Sequence, residues 1–259
     1  MASSSPSTKS IDLNADLGEY TGTSGSARDD SILDLVSSAS IACGTHAGDL
    51  EVMQRTVDAA AGRGVAVGAH PSYPDRENFG RREMEISAEE LAGQLVSQIE
   101  ALAGCCAKAG ARLRYVKPHG ALYNVAARDA EVARVIADAV RSVDPSLVLL
   151  GLADSSMIYE GEQAGLAVAC EAFADRAYLA NGTLLSRDRA GAVLHEARLV
   201  ASRALTIARD HYVWTVDGVR LEVQADSLCI HGDNADALDL VKATRIALEA
   251  DGFAIRPFA

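Results

Sequence analysis

The sequence predicts an α/β fold in which seven parallel strands, alternating with helices, close into a barrel with the helices outside. Three observations predict it. Short apolar runs alternate with longer stretches of helical periodicity along the chain. Aromatic residues are only 5% of a composition that is 49% hydrophobic, so the core must come from Val, Leu, Ile and Ala. That suits helices packed on a sheet. Polar clusters follow six of the seven strand candidates. A barrel gathers all its strand ends at one mouth, whereas an open doubly wound sheet concentrates its site at a switch point.

The strand candidates are residues 11–16, 39–43, 65–70, 114–117, 147–152, 167–171 and 227–231. Helical periodicity covers 50–63, ending at Gly64. It covers 87–110, which opens on the capping-box pattern "SAEE". It covers 129–143, stopping before Asp144-Pro145, and 155–165, ending in glycine. Residues 190–209 and 234–251 complete the helices. Two segments break the rhythm. Residues 181–189 read as a loop over the barrel mouth, and 212–223 alternate around Asp217-Gly218, a hairpin signal. Residues 1–10 are small and polar and read as a disordered lead-in, leaving 11–259 as a single barrel domain.

Composition excludes several function classes. The formal net charge of −12 argues against nucleic acid or anionic lipid as the main partner. Five cysteines with no CxxC pair point to free thiols in a reducing cytoplasm. No apolar run reaches membrane-spanning length. There is no GxxxxGK[ST] phosphate loop, no GxSxG elbow and no HExxH pair.

The strand ends carry the chemistry. In "IDLNADLGE", residues two apart share a face, so Asp12, Asn14 and Asp16 point one way. Facing a packed interior, they must be paired, hydrogen-bonded or metal-bound. "CGTHAGD" places His46 at a strand-to-helix turn, with Asp49 as a helix cap. "GAHPSYPD" ends a strand in His70. "VKPHGALYN" gives Lys117 and His119 the same parity. "DSLCIHGD" brings His231 and Asp233, with Asp226 entering that strand. One strand-end histidine is usually structural. Four of the six, on separate parallel strands, favour a shared site, while His195 and His211 fit a solvated face. Two chemistries suit such a mouth: hydrolysis assisted by a divalent metal, or metal-free acid–base work around a cationic group.

The ordered motifs "IDLNADLGE", "SIACGTHAGD", "GVAVGAHPSYPD", "VKPHGALYN", "FADRAY" and "QADSLCIHGD" together resemble the LamB/YcsF lactam-utilisation family over nearly the whole chain. The resemblance implies a seven-stranded barrel related to glycoside hydrolases and deacetylases. It also implies ATP-dependent opening of 5-oxo-L-proline to L-glutamate, as the A subunit of a 5-oxoprolinase acting with subunits B and C. A stand-alone metal-dependent amide or carbohydrate hydrolase is the alternative. Without a phosphate loop here, the partner subunits are expected to contribute the phosphoryl chemistry of ATP. On this reading Asp12, Asp16, Lys117, His119 and Asp226 are the candidate catalytic residues, with one of the aspartates as base. Asn14, Glu19, His46, His70, Tyr73, Asn124, Asp175, Arg176, His231 and Asp233 are candidates for substrate binding. A metal, if one is used, draws on His46, His70, His119 and Asp16. Self-association into a homo-oligomer stays open. Two departures from the family pattern lie near the mouth: Thr45 before the first site histidine, and the Gly/Ser-rich stretch "YTGTSGSARDD".

Overall fold

The computed structural model describes residues 9–231 and 236–259. Seven strands form a closed, all-parallel barrel. They are β1 (Ser10–Leu17), β2 (Ser38–Ala42), β3 (Ala66–His70), β4 (Leu113–Val116), β5 (Val148–Leu152), β6 (Ala167–Phe173) and β9 (Ser227–Cys229). They pair in that order, and β9 closes back on β1. Between β6 and β9 lies the expected hairpin, β7 (Tyr212–Trp214) with β8 (Arg220–Glu222), antiparallel. A short β10 (Ala254–Ile255) pairs with the first residues of β1.

The helices are α1 (Ser26–Leu33), α2 (Leu50–Gly62), α3 (Ala88–Lys108), α4 (Gly120–Ala126), α5 (Ala130–Val143), α6 (Ser156–Gln163), α7 (Ala197–Leu205) and α8 (Ala237–Ala250). Their starts follow local chemistry. Asp49 caps α2 by accepting from the Val52 amide, and Ser87 caps α3 by accepting from the Glu90 amide. Two helices escaped the sequence pattern. α1 lies in the Gly/Ser-rich stretch, and α4 begins directly at the fourth strand end. The helix expected over 190–209 begins only at Ala197. The preceding residues are tied elsewhere: Arg176 bridges to Val193 in antiparallel fashion, and the Ala177 amide donates to the Ala192 carbonyl. The expected start of the last helix, at 234, lies outside the described residues. Among the described residues there is no cis peptide bond and no helix long and apolar enough to cross a membrane. All five cysteines are free thiols.

The side chains that face the helices form one apolar core of Val, Leu, Ile and Ala, as the composition requires. The barrel interior is different. At its lower end Tyr115, Leu150 and Ala169 pack together, with Phe258 against them. Gly68 on β3 makes this layer fit. A Cβ there would lie 2.2 Å from the Tyr115 ring. Above and beside this plug the interior turns polar. Asp12 accepts hydrogen bonds from Ser37 and Ser38, both at 2.6 Å, and from Ser227. Burial pushes its carboxyl up to about 6, although the three hydroxyls oppose the shift.

Gly68→Ala is expected to lower stability by about 2 kcal/mol or more, the cost of overpacking a closed layer. Adding Tyr115→Leu should recover part of that loss, as measured by urea unfolding. Asp12 makes a second prediction. An acid raised from 3.8 to about 6 binds its proton more tightly in the folded chain than in the unfolded one. Its contribution favours the fold below about pH 4 and is lost as the pH rises to about 6, by up to about 3 kcal/mol. Asp12→Asn should flatten that part of the stability–pH curve.

Candidate functional site

The C-terminal strand ends converge on a cavity of about 800 Å³. Its base is built around Lys117, which follows β4 and is only 2% exposed. The ammonium lies 2.9 Å from Asp16 Oδ1 and 2.8 Å from Glu171 Oε1. It also donates to Asn14 Oδ1 at 3.3 Å and contacts Cys229 Sγ at 3.1 Å. Asn14 in turn donates to Glu171 Oε1 and Ser227 Oγ. Four strands thus meet through one cation. Burial alone would lower the lysine, but Asp16, the Cys229 thiol and Glu171 outweigh it and hold the lysine well above its usual range. For Asp16, burial alone would raise the carboxyl. His70 and Lys117 outweigh it and hold the group well below the usual carboxylate range.

Three histidines stand beside this pair. His70 Nδ1 donates to the Lys117 carbonyl at 2.7 Å, which leaves Nε2 facing Asp16 Oδ2 at 3.4 Å and His119 Nδ1 at 3.0 Å. Burial works against a charge on His70, yet Asp16 more than offsets it, so the ring is held above its usual range as an imidazolium. His119 goes the other way. Burial and the neighbouring His46 and His70 hold it well below its usual range. It is a neutral ring that donates from Nε2 to the Phe79 carbonyl at 2.9 Å, so Nδ1 is an acceptor. His46 stacks on His119 with centroids 3.8 Å apart and rings within 1° of parallel. Glu19 Oε1 lies 3.2 Å from both His46 Nε2 and His119 Nδ1.

A fourth histidine closes the circle. His231 stacks on Phe173, with its Nδ1 2.9 Å from Asp175 Oδ2, and it lines the cavity. Burial would raise Asp175, but the His231 contacts outweigh this and hold the carboxyl below its usual range. Leu184 to Asp188 run along the cavity, where the sequence expects a covering loop. The end of β5, which carries no polar cluster, contributes nothing to the lining.

Asn14, Asp16, Glu19, His46, His70, Lys117, His119, Asp175 and His231 therefore come together. Asn124 and Arg176 lie in the cavity wall. Arg176 spends two donors on the carbonyls of Ala192 and Leu185, bracing the covering loop. Three expectations are corrected. Asp226 is exposed and precedes β9, at the opposite end of the barrel, where it accepts from the Cys170 amide. Asp12 lies below the site, enclosed by serines. Tyr73 is buried in the apolar core rather than in the cavity wall. Asp233 lies outside the described residues. The sequence reading missed Glu171, Phe173 and Phe79. Glu171 had a signal, since it is an acid at an inward position of a strand buried on both faces.

The candidate metal set also changes. Glu19, His46 and His119 bring their ligating atoms together. His70 is committed to the Lys117 carbonyl and to Asp16. A second cluster, Asp16, Cys229 and His231, is already filled by the Lys117 ammonium, which touches two of its three members.

Comparison with known proteins agrees with this geometry. The LamB/YcsF family profile matches residues 11–259. The chain is 51% identical over 249 residues to a 5-oxoprolinase A subunit of Agrobacterium fabrum, covering 96% of this chain and 98% of that protein. It is 50% identical over 249 residues to the 5-oxoprolinase A subunit of Paracidovorax citrulli, covering 96% and 99%. The crystal structure of a lactam utilization protein from Thermus thermophilus superposes with a TM-score of 0.90 at 44% identity, covering 96% of this chain and all of that one. A peptidoglycan N-acetylglucosamine deacetylase domain from Eubacterium rectale shares the fold alone, with a TM-score of 0.54 at 12% identity over 99% of this chain and 91% of that one.

Lys117→Met leaves two buried carboxylates without their cation. It is expected to cost about 3–5 kcal/mol. Adding Glu171→Gln should recover part of that in a double-mutant cycle read by urea unfolding.

Proposed function

The chain belongs to the LamB/YcsF family, and from that premise we propose that it is the A subunit of an ATP-dependent 5-oxoprolinase. It would open 5-oxo-L-proline to L-glutamate together with subunits B and C. The observation that carries this reading is the Lys117 centre, a buried ammonium held by Asp16 and Glu171 at the base of the cavity, with His70 against Asp16. The similarity to proteins named as the A subunit of 5-oxoprolinase supports the same assignment.

Ring opening forms a bond from a water oxygen to the lactam carbonyl carbon and breaks the carbon–nitrogen bond. One proton must leave the water and one must reach the nitrogen. His119 Nδ1 is the acceptor available for the first proton, because its Nε2 is already protonated. His70 and Lys117 supply positive charge for oxygen that becomes negative as the carbon turns tetrahedral. His231, oriented by Asp175, is placed to hand a proton to the nitrogen. The phosphoryl chemistry of ATP falls to the partner subunits, since this chain has no phosphate loop. A divalent ion, where one is used, would be held by Glu19, His46 and His119, a carboxylate and two imidazoles of suitable chemistry, and His119 Nδ1 would then bind the ion in place of accepting the water proton. It would supply Lewis-acid polarisation of the amide carbonyl.

The test is reconstitution with subunits B and C, ATP and 5-oxo-L-proline, with glutamate release as the readout. Glutamate formed only in the complete mixture supports the reading, and its absence ends it. In that assay His119→Ala and His231→Ala should each lower kcat by about 100-fold or more. Asp226→Asn, at the other end of the barrel, should remain close to the parent activity.

A further inference from the structure

The chain carries a formal net charge of −12, yet one wall of its cavity is rich in arginine. Arg81, Arg82, Arg128, Arg176 and Arg187 all line it. Arg128 is paired on the rim with Glu83, at 2.6 Å. Arg176 is built into the fold. It follows β6 and is only 3% exposed. Its Nε donates to the Ala192 carbonyl at 3.2 Å and its Nη2 to the Leu185 carbonyl at 2.6 Å. From behind, Arg203 donates to the Arg176 carbonyl at 2.7 Å. The other terminal nitrogen, Nη1, has no hydrogen-bond partner among the described residues. Burial pushes Arg176 down to about 10, and the charges of Arg187 and Arg81 push in the same direction. Three guanidinium groups from three segments therefore act on one another: Arg81 after β3, Arg176 after β6 and Arg187 in the covering loop. Like charges gathered on one wall repel, and an anion beside them relieves the repulsion.

Lys117 does not offer that anion its hydrogen bonds. Its ammonium is engaged by Asp16, Glu171, Asn14 and Cys229. His70 turns Nε2 toward Asp16. A ligand with an oxyanion group therefore finds its donors on the arginine wall. We propose that Arg176, with Arg81 and Arg187, forms an oxyanion subsite that binds a carboxylate or phosphoryl group of the ligand. Guanidinium suits the task, because its planar fork matches both groups and its charge survives burial. The brace on Arg176 fixes the direction of Nη1 before the ligand arrives. Arg187 belongs to the loop whose Leu185 carbonyl Arg176 already holds. An anion that bridges Arg176 and Arg187 ties the covering loop to the barrel. The existence of the subsite does not depend on the proposed reaction. Which anion fills it rests on that reading, where the lactam carries a carboxylate and ATP supplies a phosphoryl group.

The experiment titrates the full-length chain by calorimetry with inorganic phosphate, 5-oxo-L-proline and 2-pyrrolidinone. The last is the same lactam without its carboxylate. Phosphate binding that weakens about 10-fold or more in Arg187→Gln and Arg81→Gln identifies a phosphoryl subsite. If 5-oxo-L-proline binds about 10-fold or more tightly than 2-pyrrolidinone, and both variants lose that advantage, the subsite takes the carboxylate. Arg189→Gln makes the same charge change on an exposed residue outside the cavity lining and should leave each affinity unchanged. The proposal is overturned if neither anion binds, if the two arginine variants bind like the parent, or if Arg189→Gln weakens binding as much as they do. Thermal unfolding shows which variants are folded. Arg81 and Arg187 lie on different segments, so if one variant fails to fold the other decides. Arginine-dependent anion binding without glutamate release from the reconstituted complex ends the functional reading and leaves the subsite standing. Glutamate release with arginine-independent binding does the reverse.

Discussion

The buried ammonium of Lys117 is the interaction on which the rest of the site depends. Asp16 and Glu171 cannot both be ionised inside a barrel without a cation between them. That cation in turn cannot stay charged at 2% exposure without both of them. The three groups come from three strands, and Asn14 and Cys229 complete the contacts. The lysine therefore fixes the relative heights of those strands at the base of the cavity as well as its charge. Its own carbonyl then accepts from His70, so the same residue sets the orientation of the first histidine.

From there polarity passes outward in order. His70 is fixed at Nδ1 by a backbone carbonyl and carries its second proton on Nε2 because Asp16 is ionised. A charged His70 makes a charged His119 or His46 unfavourable, since the three rings are packed together. One site thus holds a cationic imidazole and two neutral ones. Differing charge states within one cluster are what acid–base chemistry at a single pH requires.

Much of the fold was legible because its signals are repetitive. Seven apolar runs spaced by helical periodicity leave few topologies, and polar clusters after six of the seven favour a barrel over the open doubly wound sheet. The short helices α1 and α4 were illegible, since seven or eight residues with little apolar periodicity carry almost no pattern. At the site, histidines and Lys117 stood out because each closes a strand. Glu171 did not, since a single acid within "AVACEAF" reads as the end of an apolar run. Asp226 and Asp12 show the opposite error. Their residue type and parity fit a barrel interior, but height along the strand decides what a side chain can reach. Four residues of strand separate Asp12 from Asp16, or about 13 Å. Asp226 precedes its strand, where the parallel arrangement puts it at the far end.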